Sequence, residues 1–250
     1  MELNSEIKDY WEGESYIYSA GIQEELAGPH RQAWKDLISE YAPREGALKI
    51  LDAGCGPGFF EIVLSELGHD VTGIDITENM IARARENVAA ENANAQLMVM
   101  DCQELSFPDN TFDLVICRNI TWTLADPKKA YHEWKRVLKP GGRIMVFDAC
   151  WYLQLFDEEL KAKYIANEEK VNEQFEMPKR GHVDPQRGDA IGNIAFMGNK
   201  HRPAWDLGYF IEMGFRKVFS EPNIMDRTCW GEREKLLHKY TPGFMVGAEK

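Results

Sequence analysis

Leu51-Asp52-Ala53-Gly54-Cys55-Gly56-Pro57-Gly58-Phe59 joins a short apolar run, 47–52, to an apolar helical pattern over 59–67. Glycine at 54, 56 and 58 lets the backbone turn tightly and approach a ligand closely. A strand that passes through such a turn into a helix is the start of an α/β unit. In an open parallel sheet, ligands bind outside the carboxyl ends of the strands, at the point where strand order reverses.

The same alternation continues outward. Asp70–Asp75 reads as a second strand, and Thr77 as the N-cap of a helix reaching about Glu91. Gln96–Met100 and Phe112–Cys117 read as the third and fourth strands. Asp126-Pro127 opens a helix to Leu138, Gly141-Gly142 ends that unit, and Arg143–Phe147 is a fifth strand. Pro203–Met213 is a further helix closed by Gly214, followed by strands at 215–220 and 243–246. Apolar strands alternating with helices predict a parallel sheet covered on both faces. Upstream, Pro29 with Ala33, Trp34, Leu37 and Ile38 predicts a helix with proline in its first turn.

The glycine spacing narrows the ligand. A dinucleotide fingerprint is G-x-G-x-x-G, whereas this turn is G-x-G-x-G with Phe59 at the last fingerprint position, which argues against a nicotinamide dehydrogenase. A phosphate loop needs G-K-[ST], which is absent here. Asp52, just ahead of the glycines, suits an ammonium better than a pyrophosphate. Asp75 ends the second strand, placed to accept two ribose hydroxyls, and Asp101 ends the third, placed to accept from an adenine amino group. Ribose, adenine and a cationic end without phosphate describe S-adenosyl-L-methionine.

Four segments then resemble the class I S-adenosylmethionine-dependent methyltransferases, in particular the branch of ubiquinone/menaquinone-type enzymes. They are ILDAGCGPG (50–58), VTGIDITENMIARAR (71–85), MDCQELSFPDNTFDLVICRN (100–119) and EWKRVLKPGGRIMVFD (133–148), in the family's order. The resemblance implies a Rossmann-like α/β three-layer sandwich, its seven-stranded sheet mostly parallel with the last strand antiparallel. It implies that Gly54 and Gly56 pack under the methionine part, with Asp52 near its amino group. Cys55 and Gly58 complete the turn, and Cys55 reads as a plain small side chain rather than a nucleophile. Asp75 would hold the ribose; Asp101 and the Cys102 backbone would read adenine, flanked by Ile76 and Met80. Arg118 and Asn119 would line the methionine side, and Asp113 would serve a structural role.

Methyl transfer from a sulfonium is an in-line displacement that depends largely on positioning, so the motifs assign no catalytic residue. Candidate acceptor contacts are Tyr18 and His30 in the N-terminal segment, Trp122 after the fourth strand, Trp151 after the fifth, and His182 and His201 further on. The six histidines form no H-E-x-x-H or comparable metal pattern. The basic stretch Lys128, Lys129, Lys135, Arg136 and Lys139 reads as a solvated helix face.

Composition narrows the setting. With 250 residues, 44% of them hydrophobic, the chain can bury a sizeable core. Its net charge of −12 argues against coating nucleic acid or an anionic membrane. Five cysteines without a C-x-x-C pair suit reduced thiols. The first residues lack the apolar core of a signal peptide, and no apolar run approaches the roughly 18 residues of a membrane span. A cytoplasmic enzyme, monomer or homodimer, is the expectation. The expected plan is one domain over 1–250: an N-terminal helical lid (1–46), a cofactor-binding core (47–150), an insertion forming a substrate lid (151–202) and a C-terminal helix and strands completing the sheet (203–250).

The expected activity is methyl transfer to a small-molecule acceptor. There is no N-P-P-Y or D-P-P-Y segment, no Pro-Cys nucleophile, no appended basic module, and no carboxylate cluster after the fourth strand of the kind a metal-dependent catechol-type site needs. The alternatives are a protein or RNA methyltransferase and a non-catalytic S-adenosylmethionine-binding regulatory protein.

Overall fold

A computed structural model describes residues 2–175 and 182–250. Seven strands form one sheet: β1 (Lys49–Ala53), β2 (Asp70–Asp75), β3 (Ala95–Val99), β4 (Phe112–Arg118), β5 (Leu138–Asp148), β6 (Lys217–Glu221) and β7 (Phe244–Glu249). Their order is β3-β2-β1-β4-β5-β7-β6. The first five run parallel, and β7 runs antiparallel to both β5 and β6. The expected three-layer sandwich with a reversed last strand is therefore the architecture found.

The strands read as continuous apolar runs because both faces are buried. Along β1, Ile50 enters one core and Leu51 the other; along β5, Met145 and Phe147 face opposite to Ile144 and Val146. One core gathers Trp34, Leu37 and Ile38 of α2 (His30–Tyr41) with Phe59 and Phe60 of α3 (Phe59–Ser65). The other gathers Tyr131 and Trp134 of α5 (Pro127–Val137) and Phe210 of α8 (Ala204–Glu212). Strand order reverses between β1 and β4, which lie side by side with Asp52 opposite Ile116. The glycine turn leaves β1 at that crevice.

Two local expectations change. The fifth strand begins at Leu138 and runs through Gly141-Gly142 instead of starting after them. Its pairing with β4 shifts register between Phe112 and Leu114, and a Cβ on Gly142 would lie 2.9 Å from the Asp113 carbonyl oxygen, so a close-passing irregular strand needs glycine there. Thr77 does occupy the N-cap position of α4 (Glu78–Ala90), but its hydroxyl donates to Asp75 Oδ1 at 2.8 Å. The cap comes from Glu12, whose two carboxylate oxygens accept from the amides of Glu78 and Asn79 at 2.9 Å.

Glu12 belongs to α1 (Glu2–Ala27), a 26-residue helix within the segment expected to form a helical lid. The block 151–202 is also helical, with α6 (Glu158–Gln174) and α7 (Pro185–Ile194). It is tied to the sheet by Arg202, whose fully buried guanidinium pairs with Asp148 and Asp206, both at 2.9 Å. No described helix is long and apolar enough to cross a membrane.

Candidate functional site

The glycine turn is held by backbone bonds from Gly54 N and Cys55 N to the Ile74 carbonyl, at 2.8 and 2.9 Å. Gly54 has φ +84, and a Cβ there would lie 2.0 Å from Ile120 Cδ1. Gly56 donates its amide to Asp75 Oδ2 at 3.1 Å. Asp75 Oδ1 accepts from the Thr77 amide and hydroxyl. Asp75 thus ties the turn after β1 to the end of β2 while facing a cavity.

That cavity encloses about 670 Å³ of space between atoms, counting its mouth. Gly54 and Gly56 form its floor, with Asp75, Ile76 and Met80 on one side and Asp101 and Cys102 on another. Arg118 and Asn119 close the end nearest β4. Nine of the residues expected at a cofactor site therefore line one cavity. Asp101 holds Gln103 through that residue's amide and side chain, at 2.8 and 3.0 Å, and accepts from Asn4 of α1 at 3.3 Å.

Asp52, Cys55 and Gly58 do not line it. Gly58, at φ +92, packs against Ala84 and Val88 of α4. Cys55 is buried beside Gly73 and Glu61, and burial pushes its thiol well above the usual range, which leaves it a packed side chain. Asp52 lies beneath the turn. Burial pushes its carboxyl up to about 7 against the pull of Arg118, and its neighbour is another acid, Glu61. Glu61 is fully buried on α3 and also raised, by burial first and by Asp52 next. Two buried carboxyl groups side by side disfavour a second charge, so one of them keeps a proton. Asp52 Oδ1 and both Glu61 oxygens meet no donor among the described residues. An acid next to the glycine turn with an oxygen that meets no donor fits a ligand bearing an ammonium.

A second, larger chamber of about 1910 Å³, again counting its mouth, adjoins the first. Tyr18, Arg118 and Asn119 line both. Asn119 sits at φ +57, a conformation that side chains other than glycine rarely adopt, at this junction. Arg118 is buried, pairs with Glu25 at 2.6 Å and lies 4.5 Å over the ring of Phe59. Of the expected acceptor contacts, Tyr18, His30, Trp151 and His182 line this chamber. Trp122 and His201 line neither. Trp122 is buried between Trp11 and Tyr152, at 6.0 and 4.9 Å between ring centroids. His201 points to solvent while its neighbour Arg202 turns inward.

The sequence reading expected a helical lid over 1–46 but missed which of its residues face the cavities. Asn4, Ile7, Trp11 and Tyr18 cover the first cavity, and Glu14, Tyr18, Gly21 and Glu25 cover the second. Positions 4, 7, 11, 14, 18, 21 and 25 follow the three-four spacing of one helix face, so the signal was present as periodicity. Glu61 was also missed; an acid inside the apolar run Phe59–Leu64 was its signal. The basic residues of α5 do face outward, with Lys129 on Glu104 and Arg136 on Glu133 and Asp109. Asp113 accepts from Lys49 N and Lys139 Nζ, at 2.9 and 3.0 Å. These bonds and Arg44 outweigh burial and hold it below the usual carboxylate range.

Residues 51–146 match a family described as a methyltransferase domain. Phosphoethanolamine N-methyltransferase 3 of Arabidopsis thaliana is 35% identical over 139 residues, which is 55% of this chain and 26% of that protein. The demethylmenaquinone methyltransferase of Staphylococcus aureus is 37% identical over 122 residues, 48% of this chain and 50% of that one. The chain thus spans about a quarter of the plant relative's length and half of the bacterial one's. Among solved structures, phosphoethanolamine N-methyltransferase 2 of Haemonchus contortus with S-adenosyl-L-methionine superposes with a TM-score of 0.65 at 18% identity, covering 98% of this chain and 60% of that one. A methyltransferase from Aquifex aeolicus described as dependent on the same cofactor gives 0.54 at 22% identity, covering 92% and 97%. At those identities the likeness is one of fold.

Proposed function

We propose that this chain, which carries a class I S-adenosylmethionine-dependent methyltransferase domain, moves a methyl group to a small molecule held in the second chamber. The observation that carries this is the junction: two chambers under one helix meet at Tyr18, Arg118 and Asn119, at the carboxyl end of β4. A donor in one and an acceptor in the other would face each other there with water excluded by α1.

In this reading Asp75 takes the ribose and Asp101 with the Cys102 backbone takes the adenine, between Ile76 and Met80. Gly54 and Gly56 leave room for the methionine part, whose ammonium Asp52 attracts and whose carboxylate Arg118 faces. The bound cofactor supplies an electrophilic methyl on a sulfonium. The chain's residues align the acceptor with it. The helices over 1–46 and 151–202 act as the lid of a single domain. A roofed chamber favours a small acceptor over an RNA or protein segment, and a diffusible acceptor suits a cytoplasmic enzyme.

The test is calorimetry with S-adenosylhomocysteine and with NAD. The first is expected to bind and the second not to; binding of NAD alone would overturn the reading. Formation of S-adenosylhomocysteine from S-adenosylmethionine with a small-molecule acceptor, set against denatured protein, separates an enzyme from a regulatory binder.

A further inference from the structure

The chemistry of the second chamber narrows the acceptor. Among the described residues lining it, five carry carboxylates (Glu14, Glu24, Glu25, Asp148 and Glu234), and the one permanent cation is Arg118. That guanidinium is engaged by Glu25 and by the rings of Phe59 and Trp34, and Asp148 is in turn paired with Arg202 behind it, which leaves Glu14 and Glu234 among the carboxylates not matched by these two arginines. The chamber is also walled by indoles. Trp151 and Trp230 lie 15° from parallel with centroids 6.4 Å apart, and Asp148 Oδ1 holds the Trp151 ring by accepting from its Nε1 at 2.7 Å. His238 packs edge-on against both indoles at 5.3 and 5.4 Å; burial lowers its pKa to about 4, so it adds no positive charge behind them. Aromatic faces and carboxylates both attract a cation, and a desolvated cation gains most from such walls.

We propose, resting on the two-chamber reading above, that the acceptor is an organic amine with an apolar body, and that the methyl goes to its nitrogen. An anionic acceptor such as a phosphate ester would meet paired carboxylates and a committed arginine. The proposal therefore separates this chain from relatives named for phosphoethanolamine. Glu14 is buried; it accepts from the Asp184 amide at 3.0 Å and lies 3.2 Å from His182 Nδ1. The Tyr10 hydroxyl lies equally close to Nδ1; in the proposed complex Nδ1 directs its proton to Glu14, which accepts only, and Nε2 faces the acceptor. The ammonium form of the acceptor gives a proton to His182 Nε2. The freed nitrogen lone pair then forms the N–C bond to the methyl as the C–S bond breaks, and the bonding pair stays on sulfur, leaving a neutral thioether and a methylammonium.

The experiment titrates tryptamine, tryptophol and indole-3-propionate, one indole body with positive, neutral and negative ends, into the protein saturated with S-adenosylhomocysteine. Tryptamine is expected to bind about tenfold more tightly than tryptophol, with indole-3-propionate weakest. Glu14→Gln and Trp230→Leu are each expected to reduce that preference at least severalfold without changing S-adenosylhomocysteine affinity. Equal affinities, or a preference for the carboxylate, in the wild-type protein would overturn the amine assignment whether or not the variants fold. Failure of S-adenosylhomocysteine to bind at all would instead strike the two-chamber reading.

Discussion

Asp75 and Gly56, 19 residues apart, are joined by a 3.1 Å hydrogen bond from the Gly56 amide to Asp75 Oδ2. One carboxylate therefore both shapes the glycine turn and faces the cavity built on it. Burial raises its pKa, and the donors from Thr77 and Gly56 oppose that rise. Asp75→Ala removes the acceptor and loosens the turn together. S-adenosylhomocysteine affinity is expected to fall about 100-fold, since each charge-assisted hydrogen bond contributes ~1.5–3 kcal/mol. Calorimetry reads this directly, and unchanged affinity would remove Asp75 from the cofactor site.

The Asp52–Glu61 pair makes stability depend on pH with a definite sign. Both carboxyls are raised by burial in the folded chain, Asp52 from 3.8 to about 7. The folded state then holds protons that the unfolded state has released. For Asp52 that contribution is complete below its ordinary value and is lost as pH climbs from about 4 through about 7. Glu61→Gln places an amide that can donate to Asp52 without the second charge. Its Tm is expected to fall less than the wild-type Tm between pH 5 and pH 8. Parallel Tm profiles would refute the shared proton.

Glu12 holds α1 on the cofactor cavity by capping the N-terminus of α4, where the helix dipole favours a carboxylate. Glu12→Ala is expected to cost about 1 kcal/mol of stability and to weaken S-adenosylhomocysteine binding severalfold. Hydrogen exchange over 2–27 should quicken while that of β1 and β4 stays unchanged. Equal exchange in variant and wild type would show that the roof is held some other way.

Arg202 makes the sharpest contrast with a surface pair. Arg202→Leu strands Asp148 and Asp206 in the core and is expected to destabilise by about 3–5 kcal/mol. It should also disturb Trp151, which Asp148 orients. Lys129→Ala, which breaks an exposed pair with Glu104, should leave the urea midpoint unchanged. A mild Arg202→Leu phenotype would mean that the buried carboxylates find protons or other donors.

The parts legible in advance were those whose signal is local. The glycine turn, the acids at the ends of β2 and β3 and the apolar strands lie within short segments. Boundaries moved by a residue or two, except at β7, which ends three residues later, and at β5, where close passage beside Asp113 lengthened the strand across two glycines. Trp122 and His201 were chosen by chain position alone, and position does not say which way a side chain turns.

Sequence alone was enough for the layered sheet, the reversed last strand expected from the resemblance, and a turn that bars a P-loop and a dinucleotide fingerprint. Backbone conformation and burial pattern are written at spacings of two to four residues. Tertiary structure decided that α1 roofs both chambers, that Asp52 answers to Glu61, and that Arg118 is spent on Glu25. Each of those depends on a partner that only folding brings alongside, and a side chain's charge and direction take their meaning only once that partner is beside it.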